Sequence, residues 1–503
     1  MTSYTLRKGS PAKTRTDLVV IGVARSSRGA LVAAPGAEDV AEAYGRAFAP
    51  MLTSMGFKGD AGEVLRLPTG DVINASQLLV IGLGSLDSLD LHRVRRAAGV
   101  AARNLRNAAS VALALPASDA EHVGVVTEGF LSGLYTYDRY KTGRDDSQVA
   151  EVAILSEAAR RQDVVAAMAT AQVVGEVLSA ARDWVNTPPN DLTPETFAAS
   201  TQAMVTRLGG RRPAVTVEVL GVDELEKLQC GGILGVGMGS HNVPCLVRLT
   251  YAPADARVSL ALVGKGVTYD SGGLTIKPGS SMATMKYDMG GAAAVIAATL
   301  AIAGLGLPIA VTTYAPMVEN MPGGAAMRPG DVLTTHSGKT IEVTNTDAEG
   351  RLILADALSL AVEQEPDLVV DLATLTGACV VALGDKVAGI FGDDSSVATV
   401  LSAAKVSGEP LWRLPIPDET REQVRTESKI ADVLQHNWVR WGSTLFATAF
   451  LEQFVEGRPW VHLDIAGPAW NGAGPAGHIP FGGTGFGVTT LVELARQMST
   501  TDA

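Results

Sequence analysis

The octapeptide Asn345–Leu352, NTDAEGRL, sets three charged residues two positions apart, directly before a long apolar run. In an extended segment, Asp347, Glu349 and Arg351 would point to one side, because strand side chains alternate with period 2. The apolar run predicts a largely buried helix, and Gly350 fits the bend where the extended segment becomes that helix. Since buried charges need partners or metal ions, this junction is predicted to be a functional site.

A second charged region lies upstream, in the glycine-rich stretches Val263–Gly279 and Met285–Gly291. Glycine lets the backbone bend sharply and approach a ligand closely. The candidate site residues in these stretches are Lys265, Asp270, Lys277 and Asp288. Together with the octapeptide they offer four carboxylates, which would repel each other unless cations held them. A pair of divalent ions bridged by carboxylates is the simplest answer, and such pairs catalyse hydrolysis.

These two regions resemble the signature of the leucyl aminopeptidases, the cytosol aminopeptidases of peptidase family M17. NTDAEGRL is the hallmark of that family. The other half of the family signature consists, in this order, of GKG, DSGG, a lysine and DMGG. The resemblance continues from about residue 180 to the C-terminus. Further matching blocks are Asn186–Asn190, Leu192–Pro194, Arg328–Asp331, Gly338–Val343, Trp412–Pro415 and Trp460–Ala466. The resemblance implies a two-metal-dependent aminopeptidase, a hydrolase that releases N-terminal, preferentially leucine-like residues from peptides by means of a metal-activated water.

The resemblance also implies the metal ligands. The tighter metal ion would be bound by Lys265, Asp270, Asp288 and Glu349. The more exchangeable ion would be bound by Asp270, Asp347 and Glu349, so that Asp270 and Glu349 bridge the pair. An ammonium has no lone pair, but beside a dication the pKa of Lys265 would fall, and the neutral amine could then coordinate. Oxygen-rich sites accept several divalent metals, and two Mn²⁺ or Zn²⁺ ions are expected in each subunit.

Catalytic and substrate-binding residues follow from the same resemblance. Lys277 would stay protonated and polarise the scissile carbonyl or stabilise its oxyanion. Arg351 would hold a small anion, bicarbonate in the family, that assists proton transfer. The free amine of the substrate would bind the exchangeable metal, which restricts cleavage to the first residue of a peptide. A shallow apolar pocket for the first side chain would be formed by Met285, Thr374, Leu375 and Gly377, although core packing would explain the Met and the Leu equally well.

The composition predicts a soluble protein of the cytoplasm. The chain has 503 residues, which is too long for one ordinary core. Its 41 basic and 53 acidic residues give a net charge of −12, which does not favour nonspecific binding to nucleic acid or anionic membranes. Three cysteines without CxxC spacing fit neither a disulfide framework nor a zinc ribbon, and they suit a reducing compartment.

One apolar stretch could be mistaken for a membrane span. Gly290–Val311 has 22 residues without a charge, which is long enough to cross a bilayer. However, it is rich in alanine and glycine, and two glycines and a proline interrupt it from Gly304 to Pro308. It therefore predicts a buried helix to about Ala303, followed by a strand through Tyr314.

Strand and helix patterns alternate along the chain, which predicts an α/β fold class with two domains. Residues 1–160 are expected to form the smaller domain, which the family resemblance makes macro-like. Residues 161–185 should form a linker helix, and residues 186–503 the catalytic domain, with a central mixed sheet flanked by helices. The predicted strands of the smaller domain are Leu18–Val23, Leu78–Gly82, Val111–Leu115 and Val152–Leu155. Those of the catalytic domain are Val215–Val219, Leu246–Tyr251, Ser259–Val263, Ile309–Tyr314, Leu368–Asp371 and His462–Ile465.

Two other functions fit parts of the pattern. A binding or regulatory protein could retain the fold and use the N-terminal domain to bind nucleic acid, but the acidic balance argues against it, and every catalytic position of the family pattern is present. A two-metal phosphoesterase would also use bridging carboxylates, but no phosphatase signature occurs. The seven histidines show no HExxH spacing, which disfavours a His-ligated zinc protease. The resemblance further implies a homohexamer, and peptides are the expected substrates.

Overall fold

The computed structural model describes residues 2–143, 149–208 and 215–500, and the chain forms two compact units. The first unit comprises Met1–Glu176 and Ala473–Phe481, and the second comprises Val177–Gly472 and Gly482–Ala503. Each unit is built on a mixed sheet with helices packed against it, so the predicted fold class is confirmed. The predicted domain boundaries at residues 160 and 185 stay a prediction.

The sheet of the first unit has the order β1-β7-β6-β2-β5-β4, with β3 paired to β2. Strands β1, β7, β6, β2 and β5 run parallel, whereas β3 and β4 are antiparallel to their partners. The strands are β1 (Ser3–Arg7), β2 (Leu18–Arg25), β3 (Leu31–Ala33), β4 (Val64–Pro68), β5 (Gln77–Ser85), β6 (Ser110–Ala114) and β7 (Glu151–Leu155). The helices are α1 (Glu38–Tyr44), α2 (Phe48–Ser54), α3 (Leu91–Ala102), α4 (Ala120–Leu134) and the first part of α5 (Gln162–Asn186), whose residues from Val177 onward belong to the second unit.

Both faces of this sheet are buried. On β2, Leu18 and Val20 belong to a core cluster shared with α3 and α4. Val19 and Ile21 point to the opposite face and pack with residues of α1 and α2. A strand covered on both sides needs apolar residues at consecutive positions, which explains the unbroken run LVVIGVA. The four strands predicted for this unit are confirmed.

The second unit is organised around a nine-stranded sheet of order β17-β16-β19-β15-β10-β12-β9-β8, with β11 paired to β12. Its centre, β19-β15-β10-β12, is parallel. The strands of the unit are β8 (Thr216–Leu220), β9 (Cys245–Tyr251), β10 (Ser259–Gly264), β11 (Gly266–Asp270), β12 (Ala310–Asn320), β13 (Val332–Thr334), β14 (Thr340–Glu342), β15 (Leu368–Ala373), β16 (Ala388–Gly392), β17 (Leu411–Arg413), β18 (Val433–Leu434), β19 (Trp460–Asp464), β20 (Trp470–Asn471) and β21 (Gly482–Gly483). All six predicted strands are present.

Helices cover this sheet. They are α6 (Pro194–Leu208), α7 (Val222–Lys227), α8 (Gly231–Gly237), α9 (Gly279–Met282), α10 (Gly290–Leu305), α11 (Glu349–Val362), α12 (Gly377–Leu383), α13 (Asp394–Ser407), α14 (Asp418–Thr426), α15 (Ser443–Glu452) and α16 (Val488–Thr500). Helix α11 is buried along its whole length, as the apolar run predicts. The three cysteines are free and buried.

The uncharged helix α10 packs inside the second unit. It starts at Gly290 and ends where Gly306 adopts a left-handed conformation, with φ +66°. Strand β12 follows, so the predicted helix and strand are confirmed. By length and composition α10 and α5 could each cross a bilayer, but the apolar stretch that contains α10 is almost wholly buried by protein.

Candidate metal centre and active site

The second unit positions the charged residues at the ends of its central strands. Lys265 directly follows β10, and Asp270 is the last residue of β11. Asp288 lies in the short connection before α10, and Thr374 directly follows β15. Because the carboxyl ends of parallel strands meet at one edge of a sheet, these side chains converge on one crevice, where open α/β sheets bind ligands.

The octapeptide forms a turn followed by a helix, and the predicted extended conformation is wrong. Asp347 lies in a turn, whereas Glu349 is the first residue of α11 and Arg351 is in its first turn. Gly350 is inside the helix and has a different role from the one predicted. A Cβ at this position would lie 2.6 Å from Cε of Lys265, so any larger residue would force the side chain of that lysine to move.

Two lysines join the four carboxylates. Nζ of Lys265 lies 2.7 Å from Oδ2 of Asp288 and 2.8 Å from Oε1 of Glu349. Nζ of Lys277 lies 2.8 Å from Oδ2 of Asp270 and 2.6 Å from Oδ1 of Asp347. The side chain of Lys265 is 3% exposed and that of Lys277 is 15% exposed, so Lys277 is the more accessible from solvent.

The acids shift each other's proton affinities. Burial, together with the charge of Glu349, raises the pKa of Asp270, and burial raises the pKa of Asp288 well above its usual range. Burial and the neighbouring acids also raise the pKa of Asp347 to about 7. Burial opposes ionisation of Glu349 as well, but the charges of Lys265 and Lys277 hold its pKa below the usual value. Acids this close can all ionise only if more positive charge is present.

The donor set fits divalent cations. One carboxylate oxygen each from Asp270, Asp347 and Glu349 lie within 4.8 Å of one another, so a single cation could contact all three. Oδ2 of Asp288 and Oδ1 of Asp347 are buried and, although lysines lie close to them, accept no hydrogen bond of acceptable geometry from the described residues. Buried oxygens with spare lone pairs are suitable ligands for hard cations. The ammonium of Lys265 lies between Asp288 and Glu349. A metal cation near this position would balance the same two negative charges.

Two neutral side chains orient these acids: Asn320, which the sequence analysis did not single out, and Thr374, which it assigned to the substrate pocket. Asn320, the last residue of β12, donates from Nδ2 to Oδ1 of Asp270 at 2.8 Å and to the carbonyl of Thr346 at 2.9 Å. Thr374 donates from Oγ1 to Oδ1 of Asp288 at 2.8 Å. Such bonds fix the direction of ligand oxygens. The only sequence signal for Asn320 is its position at a strand end beside the charged region.

Arg351 is buried, and its guanidinium is hydrogen-bonded at one terminal nitrogen. It donates from one terminal nitrogen to the carbonyl of Gln435 at 2.8 Å, and its Nε has no hydrogen-bond partner among the described residues. Burial lowers the pKa of Arg351 to about 10, so the guanidinium remains charged at neutral pH. A buried guanidinium with a free N–H can bind a small anion.

Two of the four predicted pocket residues lie on the connection between β15 and α12, and a third begins α12. Nζ of Lys265 donates to the carbonyl of Thr374 at 3.0 Å, which places this connection beside the charged cluster. Leu375 is half-buried, and Gly377 is exposed as the first residue of α12. Met285 is half-buried and lies three residues before Asp288. The side chain of Thr374 points to Asp288, so its contact in the structure is with a predicted metal ligand.

Two family models cover most of the chain. The cytosol aminopeptidase family catalytic domain matches residues 179–492, and the N-terminal domain of the same family matches residues 20–144. Together they span the greater part of both compact units.

Curated relatives carry the same description over their full length. The chain is 47% identical to a probable cytosol aminopeptidase of Streptomyces coelicolor, over 98% of both chains. It is 44% identical to that of Streptomyces griseus over 100% of both, and 42% identical to that of Rhodococcus jostii over 96% of this chain and 95% of the relative.

Among solved structures, the chain resembles the bottromycin maturation enzyme BotP in complex with Mn. The identity is 39% and the TM-score 0.84, covering 96% of this chain and 100% of the other. A second structure of BotP gives a TM-score of 0.83 at 38% identity. Together with the charged cluster and the family matches, these likenesses show that the chain belongs to the cytosol aminopeptidase family and is a metallo-aminopeptidase, a hydrolase of peptides.

Proposed function

We propose that this enzyme uses two divalent metal ions to release leucine-like residues from the N-termini of peptides. The observation that carries the proposal is the convergence of Asp270, Asp347 and Glu349, with oxygens within 4.8 Å of one another, beside the buried pair Lys265–Asp288. Four acids that cannot all ionise together are best satisfied by two cations. Mn²⁺ or Zn²⁺ is the proposed metal, since a relative is described in complex with Mn.

The proposed ligand sets are those that the family resemblance implies. Lys265, Asp270, Asp288 and Glu349 would hold one cation, and Asp270, Asp347 and Glu349 the other. Once bound, the pair would supply a nucleophilic water at neutral pH and a template for the peptide. In the structure burial already opposes the charge of Lys265, and it is the carboxylates that raise its pKa. A bound metal cation would neutralise these carboxylates and remove their effect on Lys265. Burial would then lower the pKa of Lys265 and favour the neutral amine, which can act as a ligand.

Two cationic residues would act on the substrate. Burial opposes the charge of Lys277, but the acids around it raise its pKa, so it is an ammonium at neutral pH. Its partial exposure allows it to polarise the scissile carbonyl and to stabilise the oxyanion that develops. Arg351 would hold a bicarbonate ion through its free N–H, and this anion would accept the proton of the attacking water. Thr374, Leu375, Gly377 and Met285 would border the first side chain of the substrate.

The proposal is tested by hydrolysis of leucine p-nitroanilide. Chelator-treated protein should be inactive and should recover activity with Mn²⁺ or Zn²⁺, whereas Asp347→Ala should lower kcat/KM by at least about 100-fold. Asp255→Ala, which removes an exposed aspartate of the same unit, is the matched control and should retain activity. The N-acetylated substrate should not be cleaved. A folded, metal-loaded enzyme that cleaves the blocked substrate equally well would contradict the proposal.

Cellular setting and assembly are also proposed. Relatives are described as cytosol aminopeptidases, which supports a cytoplasmic location. We further infer a homohexamer, and sedimentation velocity on the purified enzyme tests it, since a monomer or a dimer would contradict it.

A further inference from the structure

The loop His436–Gly442, HNWVRWG, runs between two elements that border the active site. At its start, the carbonyl of Gln435 accepts the hydrogen bond from Arg351 at 2.8 Å. The Gln435 side chain bonds the backbone of Asn345 and Ala348, with Nε2 2.7 Å from the Asn345 carbonyl. The backbone of His436 is held in the same way, because its carbonyl accepts from Oγ1 of Thr344 at 2.5 Å. The first end of the loop is therefore fixed against the octapeptide.

The other end leads to the proposed pocket. Gly442, with φ +69°, ends the loop and precedes α15. In the first turn of α15, Thr444 donates from Oγ1 to Oδ2 of Asp464 at 3.3 Å. The same oxygen of Asp464 accepts from Oγ1 of Thr376 at 2.6 Å, and Thr376 lies beside Leu375 and Gly377. The loop is thus anchored at one end beside Arg351 and at the other end beside the proposed pocket.

The loop presents two large aromatic side chains to solvent. Trp438 is 61% exposed and Trp441 is 81% exposed, with the partly exposed Val439 between them. Trp438 also has φ +57°, a left-handed conformation that is unfavourable for a bulky residue. Exposed tryptophans, one of them on strained backbone, are typical of recognition surfaces rather than of solvated loops.

The position of these rings relative to the active site determines which residue of a bound peptide they can contact. His436 lies beside Arg351, because it directly follows Gln435, whose carbonyl accepts the hydrogen bond from Arg351. The centroids of the His436 and Trp438 rings are 5.2 Å apart. An extended peptide advances roughly 3.3 Å per residue. Trp438 therefore lies about one to two residues of extended peptide from His436, on the exposed part of the loop that also carries Trp441.

We propose that Trp438 and Trp441 form a binding surface for an apolar or aromatic third residue of the peptide. The proposal rests on the aminopeptidase function proposed above and extends it, since it makes the enzyme favour tripeptides and longer peptides with an apolar third residue over dipeptides. Ring contacts of this kind stabilise a bound aromatic side chain without any change in the reacting groups.

The test compares kcat/KM for Leu-Gly-Phe, Leu-Gly-Gly and Leu-Gly on the metal-loaded enzyme. The wild-type should prefer Leu-Gly-Phe to Leu-Gly-Gly by about five- to tenfold. Trp438→Ala and Trp441→Ala should each lower this ratio, mainly through KM, and the Phe substitutions should restore most of it. Trp412→Ala is the matched control, because Trp412 is 64% exposed on β17, and it should leave the ratio and the activity unchanged.

The outcomes separate this proposal from the one on which it rests. If all three peptides are cleaved but the ratio is the same in wild-type and both loop variants, the third-residue surface is refuted while the aminopeptidase function stands. If the ratio is unchanged but the loop variants alter the sedimentation coefficient, the tryptophans are contacts between copies of this chain, and the proposal is equally refuted. If no peptide is cleaved by the metal-loaded wild-type, the function itself fails.

Discussion

The two lysines of the centre differ in accessibility, and this difference supports the different roles proposed for them. Lys265 is enclosed by Asp288, Glu349 and the packing of Gly350, whereas Lys277 is partly open to solvent. Of the two, Lys277 is therefore the one proposed to contact the substrate. The convergence of the charged residues was predictable, because buried charges need opposite charges. Asn320 and Gln435 were not, because a neutral amide has no such requirement and its partners depend on the tertiary fold.

Lys277→Met should lower kcat by about 100- to 1000-fold with a small change in KM, since it removes the group proposed to stabilise the oxyanion. Steady-state kinetics with leucine p-nitroanilide, together with the metal content of the purified variant, measure this. Lys386→Met, at an exposed lysine of the same unit, should behave like the wild-type. If Lys277→Met loses metal in proportion to activity, Lys277 serves to retain metal and the assigned role is wrong.

At the level of elements, close backbone approaches set the positions of the site residues. A Cβ on Gly291, in the first turn of α10, would lie 2.1 Å from the carbonyl oxygen of Leu372 and 2.9 Å from the amide nitrogen of Lys265. The helix that follows Asp288 is thereby seated directly on β10 and β15. The existence of α10 was predictable from its apolar run. The close contact of Gly291 with β15 was not, because no sequence pattern indicates which strand a glycine will face.

The wrong prediction for the octapeptide has the same cause. An acid in the first helical turn is favourable, and Glu349 could have been assigned to it.

Gly291→Ala should therefore lower both stability and activity. The added methyl group must push α10 away from the sheet, at a cost of about 1–3 kcal/mol, and this moves Asp288 relative to Lys265. Thermal unfolding and kcat/KM measure the two effects. Gly124→Ala provides the control, since it adds a methyl group to α4 where nothing lies within 4 Å and should stabilise by about 0.5–1 kcal/mol. An unchanged Tm and activity in Gly291→Ala would show that the contact yields without consequence.

At the level of the whole molecule, stability depends on acids that lie away from the metal centre. Asp356 is fully buried in α11 and accepts hydrogen bonds from the backbone nitrogens of Ile233 and His336, both at 2.9 Å. Burial nevertheless raises its pKa from 3.8 to about 7. Because the folded state holds this proton more tightly than the unfolded state, the stability that it contributes is complete below pH 3.8 and is lost as the pH rises to about 7.

The side chain at position 356 stays neutral at every pH in Asp356→Asn. The Tm of the wild-type should therefore fall relative to the Tm of the variant between pH 5 and pH 8. The expected change is on the order of 2 kcal/mol, or about 4–8 °C. Differential scanning calorimetry on the apoenzyme measures it. Asp255→Asn, at an exposed site, should show a Tm difference that does not change with pH. A constant difference for Asp356→Asn too would mean that the buried acid ionises in the folded protein as it does in the unfolded chain.

The first compact unit contains a segment from near the other end of the chain, Ala473–Phe481. Within that unit a Cβ on Gly99 of α3 would lie 2.5 Å from Cα of His478, and Arg103 donates to the carbonyl of Gly477. During synthesis the ribosome produces residues 1–176 long before this segment emerges. The N-terminal unit therefore lacks the contacts that this segment makes with α3 until nearly the whole chain has left the exit tunnel. Although it is made first, it can be completed only after most of the second unit has been synthesised.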